Sequence, residues 1–246
     1  MIYPFEQLHQ HIKSHIAVFL GSGSSVNNIT EKQWEILKTF DLWGINNWVY
    51  HPDIVPHFYH IELKSYDWEI VRDRLEEKWG DYKHCHYVIP VNRDLITRAI
   101  SHPESSKIYT YRFKPRGEHP KYHNNNTIDA NYNPSYPALI KSYDASVTLM
   151  MDMLYKFGYQ YIILVGVDIS DSKYFWTGGS EKVYGKVHHQ WNKQHEGKSP
   201  NAPHNTSHVT DFIVDFNKRH MLPYKREIFI QSKKSALYPR LRHIDI

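Results

Sequence analysis

The residues whose types and spacing suit chemistry lie in a few places. Gly21 and Gly23 sit in the run GSGSS (21–25), directly after the apolar stretch IAVFL (16–20). Glycines there let backbone amides approach a phosphate or sugar closely, and a helix that starts after such a loop favours anions. The plainer reading is an ordinary glycine turn. A dinucleotide site is disfavoured, because Val26 stands where the third fingerprint glycine belongs and the next strand ends in Asn46-Asn47 rather than an acidic residue. The Walker arrangement, with Lys after Gly, is missing too. The loop is of nucleotide type without an NAD or ATP signature.

Asn46 and Asn47 offer amides that both donate and accept, which suits a base edge or a sugar hydroxyl. Asn is also common in turns, where it satisfies its own backbone. Asp168, in GVDIS, can meet a ligand or cap the loop that follows. Tyr174 and Trp176, in SKYFWTGG, can stack on a ring or donate to a phosphate; equally, they can pin their loop to the core. His204 and His208 flank the start of an expected helix in APHNTSHVTD, and an imidazole is well suited to take a proton from a hydroxyl nucleophile. With 18 histidines in the chain, a given one is more often surface decoration, and the pairs His84/His86 and His188/His189 carry the same discount. No HExxH or Cys/His set accompanies them, so no metal site is expected.

The elements that must position these groups come from a chain of 246 residues, long enough for one large α/β domain. Hydrophobic residues make up 41% and charged residues 23%, which excludes disordered and fibrous classes. Mean hydropathy is −0.63, and no apolar run has the length of a membrane helix. The start, MIYPFEQLHQHIKSH, lacks the pattern of a signal peptide, and the lone Cys85 allows no internal disulfide. These features predict a soluble, cytoplasmic protein. The net charge of +4 selects no partner.

Strands are expected at 16–20, 41–45, 57–61, 86–90, 107–111, 161–168 and 227–231. Thr30 with Gln33 has capping-box spacing and opens a helix through about Phe40. A helix from Ser65 presents Trp68, Val71, Leu75 and Trp79 on one face. Further helices are expected over 92–101, over 138–157 with Gly158 as the stop, and over 207–220. Segments 113–137 and 170–206 are polar and aperiodic, and loops of that length are usually functional. The alternation predicts a single α/β domain with a Rossmann-like, doubly wound and mainly parallel sheet, with ligands at the carboxyl ends of its strands. The two irregular segments would wall or cover the ligand there.

Taken together, the GSGSS loop, the Phe40-Asp41 to Asn46 strand, a helix bearing Ser146, Gly158-Tyr159 followed by Ile162-x-Leu164-x-Gly166-x-Asp168, and a histidine segment before Thr210-Asp211 resemble the small bacterial sialyltransferases that decorate lipooligosaccharide. The likeness runs from about 16 to 240. It implies a modified Rossmann fold and transfer of a sugar from a CMP-linked donor with inversion, without a metal or other cofactor. By this resemblance Gly21, Ser22, Gly23 and Ser24 form the nucleotide loop, with Ser22 where the family has an asparagine. Asn46 matches the asparagine five residues after the strand's aspartate, and His60 falls where the family has a further asparagine. Ser146 holds the place of the donor-binding serine and Asp168 that of the aspartate ending the G-x-D strand. Of the family's two phosphate-supporting tyrosines, the first is replaced by Ser170, and Tyr174 or Trp176 stands near the second. The base histidine falls at Thr206, two residues from either His204 or His208.

The resemblance thus implies an inverting glycosyltransferase moving sialic acid, Kdo or a related sugar from a CMP-linked donor to a hydroxyl of a glycan or lipid-linked oligosaccharide. The departures leave room for a UDP- or GDP-sugar, for which Arg112, Lys114, Arg116 and Lys121 would supply charge. Modified DNA bases are a less favoured acceptor, distinguished by salt-dependent DNA binding. A pterin-type pyrophosphokinase of the same fold lineage would need ATP and magnesium. A non-catalytic nucleotide-binding module would bind without turnover. The basic tail SKKSALYPRLRHIDI admits peripheral contact with an anionic membrane face, and homo-oligomerisation stays open.

Overall fold

A computed structural model describes residues 2–62, 65–90, 107–111, 145–169, 173–177 and 206–246, with backbone alone for 65–70 and 206–208. Among the described residues nine strands form one sheet: β1 (Ile2–Pro4), β2 (Ile16–Leu20), β3 (Asp41–Ile45), β4 (Phe58–His60), β5 (His86–Pro90), β6 (Lys107–Tyr111), β7 (Tyr161–Val165), β8 (Glu227–Ile230) and β9 (Arg242–His243). The order is β1-β6-β5-β4-β3-β2-β7-β8-β9, and every pairing is parallel. From β2 the chain winds outward through β3, β4, β5 and β6, then returns to β7 on the other side of β2. The switch point therefore lies between β2 and β7, as the alternation of the sequence requires for a doubly wound sheet.

The α-helices among the described residues are α1 (Glu31–Leu37), α2 (Ser65–Glu77), α3 (Trp79–Tyr82), α4 (Ser146–Lys156) and α5 (Thr206–Phe216). In β2, Ala17 and Phe19 face one core while Val18 and Leu20 face the other, so both sides of the sheet are covered. The first core holds Leu149, Met150 and Met153 of α4 with Val209, Phe212 and Phe216 of α5. The second holds Val26, Trp34, Trp48, Val71 and Leu75. The predicted capping box is present: Gln33 N donates to Thr30 Oγ1 at 3.3 Å and Thr30 N to Gln33 Oε1 at 2.9 Å.

Several expected boundaries move. The helix expected over 138–157 begins at Ser146, because Ala145 is extended (φ −97°, ψ 127°); residues 138–144 lie outside the described residues. The strand expected over 161–168 ends at Val165, because Gly166 turns the chain at φ +65°. Asp168 thus sits beyond the strand. Gly158 stops α4 at φ +80°, as expected. The short edge strands β1 and β9 carry too few residues to show periodicity in the sequence. The helix expected over 92–101 and the segment 113–137 lie outside the described residues, as does 170–206 apart from 173–177 and Thr206.

One buried carboxylate anchors the opposite, amino edge of the sheet. Asp41 Oδ2 accepts from Lys13 N, Ser14 N and Tyr159 Oη, each at 3.1 Å. Trp43 Nε1 in turn donates to Tyr159 Oη at 2.9 Å.

Candidate functional site

At the switch point β2 and β7 are drawn together beyond their ends. Gly21 N donates to Val165 O and Gly23 N to Gly166 O, both at 2.8 Å. A Cβ on Gly21 would lie 2.6 Å from Gly166 O, and one on Gly23 would lie 2.5 Å from Asp168 Oδ2. These glycines are required by the close approach of two loops. Asp168 is buried, and its two oxygens receive Ser25 N at 2.9 Å and Ser25 Oγ at 2.5 Å. The carboxylate thereby caps the 3-10 helix Ser24–Asn28.

Residues 173–177 cross over this loop as a strap. Ser24 N donates to Lys173 O and Phe175 N to Ser22 O, both at 3.1 Å, and Gly23 forms an antiparallel bridge with Tyr174. The expectation that the loop's amides cradle an anion is corrected by this arrangement. The amides of Gly21, Gly23, Ser24 and Ser25 already have protein acceptors. Ser22 is the exception: its amide and hydroxyl have no hydrogen-bond partner among the described residues, and it is partly exposed.

Asn46 directly follows β3, in the left-handed region (φ 45°), which Asn tolerates better than most residues. Its carbonyl accepts from Tyr59 Oη, its side-chain oxygen accepts Glu62 N at 2.8 Å, and its Nδ2 donates to Ser146 Oγ at 3.5 Å. Ser146 is the first residue of α4. The structure therefore joins Asn46 and Ser146 at the carboxyl edge of the sheet, both partly exposed.

Other expected site residues are enclosed. His60 is fully buried, with Nε2 2.6 Å from Tyr111 Oη, so in this structure it links the ends of β4 and β6 rather than lining an open wall. Burial, reinforced by the charge of Glu62, holds the Tyr111 hydroxyl well above its ordinary pKa. Tyr174 and Trp176 are buried and stacked, with centroids 4.6 Å apart and planes at 3°. They belong to the core on the α1 side, which is the pinning alternative and removes them from solvent. Burial pushes the Tyr174 hydroxyl upward, and Trp176 Nε1 is a buried donor with no acceptor among the described residues. His208 falls in the first turn of α5, a helix that shares a core with α4. His204, Arg112, Lys114, Arg116 and Lys121 lie outside the described residues. Sequence reasoning gave Glu62 and Tyr111 no role; neither has a motif, and only the fold brings them beside Asn46 and His60.

Among the described residues no group of three His, Cys, Asp or Glu is placed to hold a metal ion. No helix among them is long and apolar enough to cross a membrane.

No protein-family model matches the chain, and no curated protein matches its sequence. Solved structures do match. One is the sialyltransferase CstII from Campylobacter jejuni in complex with the substrate analogue CMP-3FNeuAc, at 11% identity and a TM-score of 0.49, covering 94% of this chain and 85% of that one. Another is a point variant of the sialyltransferase CST-II in complex with CMP, at 12% identity and a TM-score of 0.55, covering 94% and 86%. Identity this low speaks for architecture alone. On that ground, what this chain shares with the second of these structures is its fold, a Rossmann-like α/β sheet.

Proposed function

We propose that the chain is an inverting glycosyltransferase that takes a sugar from a CMP-linked donor and places it on a hydroxyl of a glycan acceptor, without a metal ion. The observation that carries this reading is the meeting of Asn46 with Ser146 beside the β2/β7 switch point, where doubly wound sheets bind their ligands. The fold likeness to a CMP-binding sialyltransferase supports it. Ser22, whose amide and hydroxyl have no hydrogen-bond partner among the described residues, would hold the nucleotide with them. Gly21, Gly23 and Asp168 would act as positioning residues that fix the Ser22 backbone.

In the reaction, the acceptor oxygen forms a bond to the anomeric carbon while the bond from that carbon to the phosphate oxygen of CMP breaks. The hydroxyl proton passes to His204 or His208, and CMP leaves with the bonding electron pair. A single phosphate leaves, so hydroxyl and amide donors suffice to stabilise its charge. Sialic acid, Kdo or a related sugar is the donor class, and a lipid-linked oligosaccharide the acceptor class.

The test is a thermal-shift panel with CMP, CDP, UDP, GDP and ATP, each with and without magnesium, followed by a search for hydrolysis of CMP-sugars. A ligand that binds only the native state raises the midpoint. Stabilisation by CMP regardless of magnesium is the expected result. A response confined to ATP with magnesium would overturn the proposal.

A further inference from the structure

Residues Ile2–His11 lie along the outer edge of the sheet as an arm. Its strand, β1, pairs with β6 over Ile2–Pro4 and with no other described strand, and the 3-10 helix Phe5–His11 then leads back to the amino edge. Leu8 is fully buried in the core of α4 and α5. Tyr3 stacks on Tyr109 with centroids 5.4 Å apart, and Phe5 meets Phe157 at 4.5 Å and Tyr111 at 6.0 Å. Directly after the arm, Asp41 fastens the chain through Lys13 N and Ser14 N. Lifting the arm would therefore break one short ladder and leave every other strand pairing in place.

The inner end of the arm rests on a pair of histidines. His11 lies over His86, the first residue of β5, with centroids 4.1 Å apart and planes at 30°. Both rings also meet Tyr109 of β6. Two imidazolium rings at that distance repel each other. His86 Nδ1 is buried with no hydrogen-bond partner among the described residues, so the protonated ring would hold an N–H there without an acceptor. The charges that act on the pair add to the repulsion: Lys13 just beyond the arm, Lys107 at the start of β6, and His57 before β4. Asp41 bears on His57 rather than on the pair.

We propose that protonation of the His11/His86 pair releases the arm Ile2–His11 from the sheet as a unit, while the other strands stay paired. Release separates the two rings, hydrates both and gives the added protons room. It also bares the outer edge of β6 and takes Phe5 off Tyr111, whose hydroxyl lies 2.6 Å from His60 Nε2. The inference is independent of the proposed transferase activity. Burial, then His11 and Lys107, lowers His86 from 6.5 to about 4, and burial, then Lys107 and Lys13, lowers His11. Groups held below their ordinary values bind more protons once released, so the released fraction grows as pH falls. From His86 alone the growth is about thirtyfold between pH 8 and pH 5, and His11 adds to it.

The test is hydrogen exchange of the full chain at pH 8 and pH 5, followed by mass spectrometry and corrected for the intrinsic exchange rate at each pH. Protection of the arm is expected to lie below that of β2 and β7 at both pH values. It should fall by at least about thirtyfold from pH 8 to pH 5. His86→Phe keeps a flat ring under His11, takes no proton and gives up no hydrogen bond of Nδ1, so the His86 share of that fall should vanish. His11→Phe with His86→Phe should hold arm protection equal at the two pH values, within about twofold. His51 lies beside the other core, its Nδ1 accepting Ile54 N at 3.1 Å, and His51→Gln should leave the fall in arm protection unchanged. An arm that exchanges in step with β2 and β7, or a fall as large in His86→Phe as in the unmodified chain, overturns the proposal.

Discussion

Both oxygens of Asp168 are committed to Ser25, 143 residues away in the chain: one accepts the backbone amide at 2.9 Å, the other the hydroxyl at 2.5 Å. The contact ties the turn after β7 to the 3-10 helix that follows the glycine loop. It makes Asp168 the clamp of the switch point, with the geometry of a capping residue.

Asp168→Ala leaves the Ser25 amide and hydroxyl buried without their charged acceptor. The expected loss is about 2–4 kcal/mol, since removing an ionised partner costs more than removing a neutral one. Asp168→Asn keeps one acceptor and should lose less. Urea unfolding at a constant m-value measures both. An unchanged midpoint for Asp168→Ala would show that the clamp contributes nothing.

The glycines give a paired prediction with opposite signs. Gly21→Ala places a Cβ 2.6 Å from a backbone oxygen that cannot swing aside, so it should destabilise by more than about 2 kcal/mol. Gly80, inside α3, has nothing within 4 Å of an added Cβ. Gly80→Ala should therefore raise stability by about 0.5–1 kcal/mol through helix propensity and a less flexible unfolded chain. Two thermal scans against the unmodified protein decide the matter, and a loss at Gly80 equal to that at Gly21 would refute the steric argument.

These contrasts show what the sequence carries and what it leaves out. Strand positions such as 16–20, 41–45 and 86–90 are legible because a parallel sheet buried on both faces writes continuous apolar runs. The Thr30/Gln33 capping box is equally local. The role of Gly21 is not local: a glycine needed to approach a phosphate and one needed to approach Gly166 read alike. His60 and Trp176 were plausible ligand contacts by position, yet their burial follows from neighbours far along the chain, Tyr111 and Tyr50 among them. The pairing of Asn46 with Ser146 lay outside periodicity and spacing; the family likeness implies a donor-site place for each residue, and only the fold joins them.

Acid should weaken the fold through buried histidines. Burial first, then Lys78, lowers His51 to about 4; burial, then His11 and Lys107, lowers His86 to about 4. His11, stacked on His86 at 4.1 Å, is lowered as well, by burial and then by Lys107 and Lys13. Groups with folded pKa values below the unfolded 6.5 bind fewer protons when folded. Their contribution is fully present above pH 6.5 and is lost as pH falls toward 4. For His51 this amounts to at most about 3 kcal/mol. His51→Gln, whose amide oxygen can accept the Ile54 N–H in place of Nδ1, should flatten that slope. Midpoints measured from pH 7 to pH 4 test it, and parallel curves for the two proteins would rule out His51 as a source.

The proposed nucleotide site predicts a separation of binding from stability at Asn46. Asn46→Asp keeps the oxygen that accepts Glu62 N and the backbone carbonyl that accepts from Tyr59, so the left-handed turn retains its internal bonds. Asp also tolerates positive φ. What disappears is the Nδ2 donor toward Ser146, replaced by a negative charge at the carboxyl edge of the sheet. The unfolding midpoint should move by less than about 1 kcal/mol, while affinity for CMP should fall by at least about tenfold, because the new carboxylate meets the phosphate and base side of the ligand unpaired. Ser146→Ala removes the hydroxyl that receives Nδ2 but adds no charge, and should weaken CMP about fivefold, the value of one hydrogen bond. Isothermal titration of both variants supplies the affinities, and differential scanning calorimetry the midpoints. If Asn46→Asp binds CMP as tightly as the parent, the nucleotide does not sit at this pair and the proposed site is wrong.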